Sequence, residues 1–245
     1  MGNLYLRTGL NPLCFDGVVF DLDATLVNLG EHVDWSKAQE DVKKIFIDCG
    51  YGEEELKQRE SRGLFNLLNI VNEELVQGRP KDEARKIQCK AFDVIEAYEM
   101  RGVKACGLML GCLYALKWLR ERGILMGVCT SNSIAATDMV LDSCGITSYF
   151  SSIVGRNIDL KMKPNPDQIE ACLREMSVKP RRAVMVGDSH NDILAGKAAG
   201  TFTVAIPVYF TRKEALDDAK PDAVIKSLHE LPHALLGLSS RIKSK

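Results

Sequence analysis

The chain lacks an excess of charge of either sign. Its 32 lysines and arginines face 33 aspartates and glutamates, a formal net charge of −1, and the basic residues form no cluster. Nucleic acids and anionic membranes are held by concentrated basic surfaces, so neither is an expected partner. Long apolar runs are missing as well. The uncharged stretch Ala105–Leu116 falls short of the about 20 residues that cross a bilayer. The opening segment "MGNLYLRTGLNPLCFDG" has no basic stretch followed by a continuous apolar one, so no secretory signal is predicted and a cytoplasmic location is expected. Cysteine is not scarce, but its eight copies are scattered and none forms C-x-x-C. They read as small buried apolar residues in a reducing compartment rather than as disulfides or zinc ligands.

What is present is apolar material in a regular order. Hydrophobic residues make up 46% of the 245, enough for one large domain or two modest ones. From Gly107 onward strand-like and helix-like segments alternate. "ILMGVCT", "YFSSIVG", "RAVMVG", "FTVAI" and "PDAVI" are short apolar runs of the buried-strand kind. Between them "CLYALKWLRERG", "SIAATDMVLDSCG", "PDQIEACLREMSV" and "NDILAGKAAG" carry helical periodicity, two with a glycine stop, and "SLHELPHAL" closes the chain as a helix. "GVVFDLD" adds a strand near the start. Repeated strand–helix units predict an α/β fold with a Rossmann-like parallel sheet covered on both faces, in three layers.

Residues 31–103 are different. Trp35, Ala38, Val42, Ile45, Phe46 and Cys49 share one helical face, as do Ala84, Ile87, Ala91, Ile95 and Tyr98. "GLFNLLNIVNEELVQG" is a third helix between them, and no strand is predicted. The economical layout is a discontinuous core of residues 1–27 and 107–245, with a smaller all-helical cap domain, 28–106, inserted after the first strand.

The chemistry-bearing residues collect at strand ends. Strand alternation would put Asp21 and Asp23 on one side of the first strand's end. Two close carboxylates repel unless a cation compensates them, although aspartates also end strands and open turns. A second acidic site follows another strand, with Asp188 and Asp192 in "GDSHND"; Asp192 or Asn191 could equally cap the helix. In an open parallel sheet such ends share one edge, where ligands bind. Carboxylates gathered there suit a hard cation, and Mg²⁺ is the natural one. Thr130, Ser131 and Asn132, ahead of a helix, offer hydroxyls and N–H groups to an anion, or a cap from Asn132 or Ser133. Lys163 lies in the proline-flanked loop "KMKPNPD", where it and Lys161 read on their own as solvated charges.

That order of motifs, "DLDATL", "VCTSN", "KPNP" and "GDSHNDILAGKAAG", resembles the haloacid dehalogenase-like (HAD) hydrolase superfamily. The A-G-x-A-A-G tail and the helical insertion are similar to its phosphoglycolate phosphatase-like branch. The resemblance implies a Mg²⁺-dependent phosphatase acting on a small phosphorylated metabolite through an aspartyl-phosphate. It implies Asp21 as nucleophile, Asp23 as general acid and base, and Lys163 and Thr130 as partners of the phosphoryl group together with Ser131 and Asn132. It implies metal ligation by Asp21, the Asp23 backbone carbonyl and Asp188, with Asp192 outside them or acting through water. Dehalogenases of this pattern lack the second aspartate, so Asp23 favours phosphoester chemistry. A phosphomutase of a sugar phosphate and a silent binding protein on the same fold are the alternatives. The usual glycine after the second aspartate is Ala24 here, so the angle of that residue is the geometry to check. His190 and the insertion's Trp35, Arg59, Arg62 and Arg79 are assigned no role at the site; Trp35 fits the apolar stripe.

Overall fold

The computed structural model describes residues 13–60, 63–207, 216 and 218–243. Residues 1–12 of the expected core and Arg62 lie outside the described residues. Among the described residues six strands form one parallel sheet, built on the predicted apolar runs, with β2 extending three residues beyond its run: β1 Gly17–Phe20, β2 Leu125–Ser133, β3 Ser152–Arg156, β4 Ala183–Gly187, β5 Phe202–Ala205 and β6 Ala223–Val224. Their order across the sheet is β3-β2-β1-β4-β5-β6. The first strand is thus central, with Phe20 level with Val128 on one side and Val186 on the other.

The period of two along each strand divides the core into two faces. Val18, Phe20, Val128, Val184 and Val186 belong to one apolar cluster. It is covered by α5 (Cys112–Glu121), α6 (Ile134–Ser143) and α9 (Leu231–Lys243) through Leu116, Val140 and Leu235. Val19, Cys129 and Met185 face the other way, against α7 (Asp167–Met176) and α8 (His190–Ala198) through Ile169, Cys172, Met176 and Ala195. This is the three-layer α/β core the alternating pattern predicts.

The insertion is helical: α1 Trp35–Asp48, α2 Glu53–Glu60, α3 Leu64–Gly78 and α4 Lys81–Gly102. Helix α2 was not legible in the sequence, because "EEELKQRE" is almost wholly charged. It buries one apolar residue, Leu56, and its acidic first turn and basic last turn suit the helix dipole. Apolar side chains of the insertion, among them Val42, Phe46, Leu67 and Ile95, run continuously into the core cluster. Asn28 ties the outgoing and returning linkers together by accepting from the Gly107 N–H at 2.7 Å. Helix α4, the last of the insertion, packs on β2 and α6 of the core. Among the described residues no helix is long and apolar enough to cross a membrane.

Candidate active site

The sheet's carboxyl edge gathers the strand-end residues as expected, with one change. One oxygen each from Asp21, Asp188 and Asp192 lies within 4.8 Å of the others. Asp23 is not part of that cluster. Strand β1 ends at Phe20, though the Asp21 N–H still reaches the Val186 carbonyl at 2.9 Å. Beyond it the chain turns tightly, with Leu26 N–H donating to Leu22 and Ala24 N–H to Val27 at 2.7 Å. The turn leaves Asp23 outside that carboxylate set, though its charge still reaches Asp21 and Asp188 and raises the pKa of both. The Asp23 carboxylate instead accepts from the Gly30 N–H at 2.7 Å. Gly30 leaves it room: a Cβ there would lie 2.3 Å from Asp23 Oδ2.

Ala24 holds φ at +59°. The left-handed region costs an L-residue with a Cβ about 1–2 kcal/mol, so this turn is strained where a glycine would not be.

Lys163 is buried, with an exposure of 4%. Its Nζ lies 2.5 Å from Asp21 Oδ1 and 2.5 Å from Asp192 Oδ1, and it donates to the Cys129 carbonyl at 3.0 Å. All three ammonium hydrogens are engaged. Burial alone would lower its pKa, but Asp192 and Asp21 outweigh burial and raise it. Lys161, two residues away, is a surface charge paired with Glu73 at 2.7 Å.

Asp192 serves both the edge and the start of a helix, but not as the cap the sequence suggested. Helix α8 is capped by Ser189, neither by Asp192 nor by Asn191, and Asp192 completes the capping box from the third helical position. Its Oδ2 accepts from Ser189 N–H at 2.9 Å while Oδ1 faces Lys163. Gly187 permits this, since a Cβ there would lie 2.4 Å from Asp192 Cγ.

The electrostatics are those of crowded, buried acids. Burial raises the pKa of Asp21, Lys163 opposes that, and Asp192 raises it further. Asp188 is also raised, by burial and then by Asp192 and Asp21. Asp23 is pushed up to about 6, by burial first, against the lowering effect of the Gly30 and Ala24 N–H groups. Three oxygen donors this close, two of them buried, form a set of the kind that holds a hard divalent cation.

At the end of β2 the Thr130 hydroxyl donates to Asn132 Oδ1 at 2.8 Å and accepts from the Asn132 N–H at 3.1 Å. Ser133 caps α6, accepting from Ala136 N–H at 3.2 Å. The Asn132 side-chain amide is not open to the edge: its Nδ2 donates to Glu99. Ser131 is half-buried, and its carbonyl accepts from Arg156 at 2.7 Å.

A cavity of about 150 Å³ lies beside Asp23, lined by Ala24, Asn28, Gly30, Glu31, Trp35 and Met109. Trp35 therefore faces the site as well as the insertion's packing, its ring N–H donating to the Gly30 carbonyl at 3.2 Å. As the first residue of α1 it can close the apolar stripe while standing over the linker. Arg59 pairs with Glu55 and Glu74, and Arg79 with Glu83, within the insertion. The sequence reading passed over Glu99 and Arg156, which are buried against each other behind Asn132. One signal was available: Glu99 follows Ile95 by four residues and so puts a charge on the buried stripe of α4.

Relatives bear on this edge directly. The model of the family described as haloacid dehalogenase-like hydrolase matches residues 18–206. A pyrophosphatase, PpaX of Bacillus pumilus, is 27% identical over 91% of this chain and 97% of its own. A phosphoglycolate phosphatase of Escherichia coli K12 is 28% identical over 89% and 92%. Among solved structures, CbbY from Rhodobacter sphaeroides, in complex with phosphate, superposes with a TM-score of 0.62 at 22% identity, covering 90% of this chain and 99% of that one. A haloacid dehalogenase-like protein from Bacteroides fragilis gives 0.65 at 18%, covering 89% and 99%. The matched span runs from β1 to just past β5 and contains every residue of the carboxyl edge described above, so the chain belongs to the haloacid dehalogenase-like hydrolase family.

Proposed function

We propose that this hydrolase is a Mg²⁺-dependent phosphatase of a small phosphate monoester. The observation that carries the reading is the buried Lys163 bridging Asp21 and Asp192, beside the Asp188 carboxylate and bonded to the Cys129 carbonyl just before Thr130. Such an edge offers a nucleophile, a charge balance and anion donors around one point. The relative named as a phosphoglycolate phosphatase supports the same reading.

Asp21 attacks phosphorus, and the bond to the ester oxygen breaks as the aspartyl-phosphate forms. Asp23 gives its proton to the departing alkoxide. Its raised pKa, near 6, keeps a protonated fraction available for that step. In the second half Asp23, now ionised, takes a proton from the water that attacks phosphorus, and Asp21 is released. Thr130 and the Ser131 backbone N–H hold the phosphoryl oxygens, while Lys163 offsets charge on Asp21. Asp21, the Asp23 carbonyl and Asp188 would hold Mg²⁺, with Asp192 supporting from outside. Bound there, the ion supplies positive charge for the phosphoryl oxygens and lowers the repulsion among the carboxylates. The departing alcohol would occupy the cavity beside Asp23, under Trp35.

The direct test is Mg²⁺-dependent release of inorganic phosphate from an aryl phosphate, with Asp21→Asn as control. Activity that survives in Asp21→Asn, or that ignores a chelator, overturns the assignment. Isomerised sugar phosphate without free phosphate would identify a phosphomutase.

A further inference from the structure

Behind the phosphate-binding end of β2 lies a buried charge pair that none of the steps above uses. Glu99, on α4, is fully buried, and Arg156, the last residue of β3, is 5% exposed. The guanidinium grips the carboxylate with both ends, Nη1 to Oε1 at 2.9 Å and Nη2 to Oε2 at 3.1 Å. Each carboxylate oxygen takes one more donor: Asn132 Nδ2 reaches Oε1 at 3.1 Å, and Ser133 N–H reaches Oε2 at 3.0 Å. Arg156 in turn donates to the carbonyls of Ser131 at 2.7 Å and Phe92 at 3.4 Å, with its guanidinium 5.2 Å from the Phe92 ring centre. Residues 131, 132 and 133 are therefore all held by one ion pair, half of which belongs to the inserted segment's last helix.

A buried ion pair contributes little net stability over apolar packing; what it can add is a fixed arrangement. Here it removes an ambiguity. An ionised carboxylate only accepts, so Asn132 must turn its NH₂ toward Glu99 and its carbonyl oxygen toward Thr130. That oxygen takes the Thr130 hydroxyl proton while the Asn132 N–H points at Thr130 Oγ1. The hydroxyl oxygen is left in one defined position, and its proton, which rests on Asn132, turns to a phosphoryl oxygen when one binds.

Resting on the phosphatase reading, we infer that Glu99, anchored by Arg156, is a positioning residue for phosphate binding: it acts through Asn132 on Thr130, so the phosphate site is completed by a helix of the insertion. Neither side chain touches substrate in this role.

The test is the affinity for inorganic phosphate in the presence of Mg²⁺, measured by calorimetry on the full chain. Glu99→Gln is expected to weaken phosphate binding by about tenfold, the loss of one hydrogen-bonded charge relay. In a Thr130→Ala background the same substitution should change affinity by less than about twofold, because the residue it acts through is gone. A folded Glu99→Gln protein with wild-type affinity overturns the inference, and so does a tenfold loss that persists without the Thr130 hydroxyl, since that is a general structural effect. Should Glu99→Gln fail to fold, Asn132→Ala cuts the relay and leaves the ion pair intact. A loss in Asn132→Ala that vanishes in the Thr130→Ala background supports the relay, and an additive one refutes it. A wild-type chain that neither binds phosphate nor hydrolyses an aryl phosphate removes the phosphatase reading and this inference with it, whereas normal hydrolysis with additive losses removes the inference alone.

Discussion

Replacing Lys163 by methionine separates charge from packing at the heart of the site. The two chains are similar in length and volume, so the cavity left is small. What is lost is a cation 2.5 Å from two buried carboxylates. At an effective dielectric near 20, a pair about 4 Å apart is worth about 4 kcal/mol. Two such attractions, less the cost of burying the ammonium, leave a net loss of about 3–5 kcal/mol, the range seen when one partner of a buried pair is removed. The sign of its pH dependence follows from Asp21. Burial already holds its pKa above the usual carboxylate value, against the lowering effect of Lys163. Without the lysine it rises further. A carboxyl raised on folding favours the folded state below its unfolded pKa, and that stability is lost as pH rises through the folded value. The variant's deficit should therefore be large at pH 8 and shrink toward pH 5. Urea unfolding in EDTA at both pH values reads this out, and Mg²⁺ should then recover part of the loss at pH 8. An equal deficit at both pH values would mean that packing, not charge, is what Lys163 supplies, and a deficit under about 0.5 kcal/mol, within the ordinary range for surface changes, would refute the electrostatic argument altogether.

Ala24→Gly relieves a left-handed residue at +59°; after the extra chain entropy of glycine it should stabilise by about 0.5–1 kcal/mol in thermal unfolding, and a destabilised variant would contradict the strain. Asp23→Asn should lower kcat by about 10²–10⁴-fold, the usual share of a general acid and base. The same variant should be more stable than wild type at pH 8, by about 1–2 kcal/mol after allowing for partial exposure, because the carboxyl with a pKa of about 6 must ionise in place; the advantage should disappear by pH 4, and its persistence there would point to another cause. Gly187→Ala puts a Cβ 2.4 Å from Asp192 Cγ, so Asp192 must move and Lys163 with it; steady-state kinetics should show kcat reduced more than about tenfold, and wild-type turnover would show that the edge tolerates displacement.

Much of this protein was written in local pattern. Short apolar runs alternating with periodic segments specify a parallel sheet covered on both faces, because such strands bury both sides and need helical crossovers. Placing Asp21, Thr130 and Asp188 at the ends of those runs brings them to one edge, since parallel strands all finish there. The glycine-stopped helices α5 and α6 follow from the same local chemistry. The insertion's helices α1, α3 and α4 were legible from their apolar stripes, and α2, with one apolar contact at Leu56, was not.

Tertiary structure decided the rest. A two-residue spacing placed Asp23 beside Asp21; its charge does reach Asp21, but only the turn through Ala24 decided that its carboxylate accepts from the Gly30 N–H. Nothing local says that Lys163 bridges Asp21 and Asp192, which stand 142 and 29 residues away. Glu99 and Arg156 are 57 residues apart, each unremarkable as a charge in its own segment. Periodicity reports which side of an element is buried. It cannot report which buried charge meets which, because that depends on how helices and strands dock, and only in the folded chain does the cost of burying a charge without a partner select the pair.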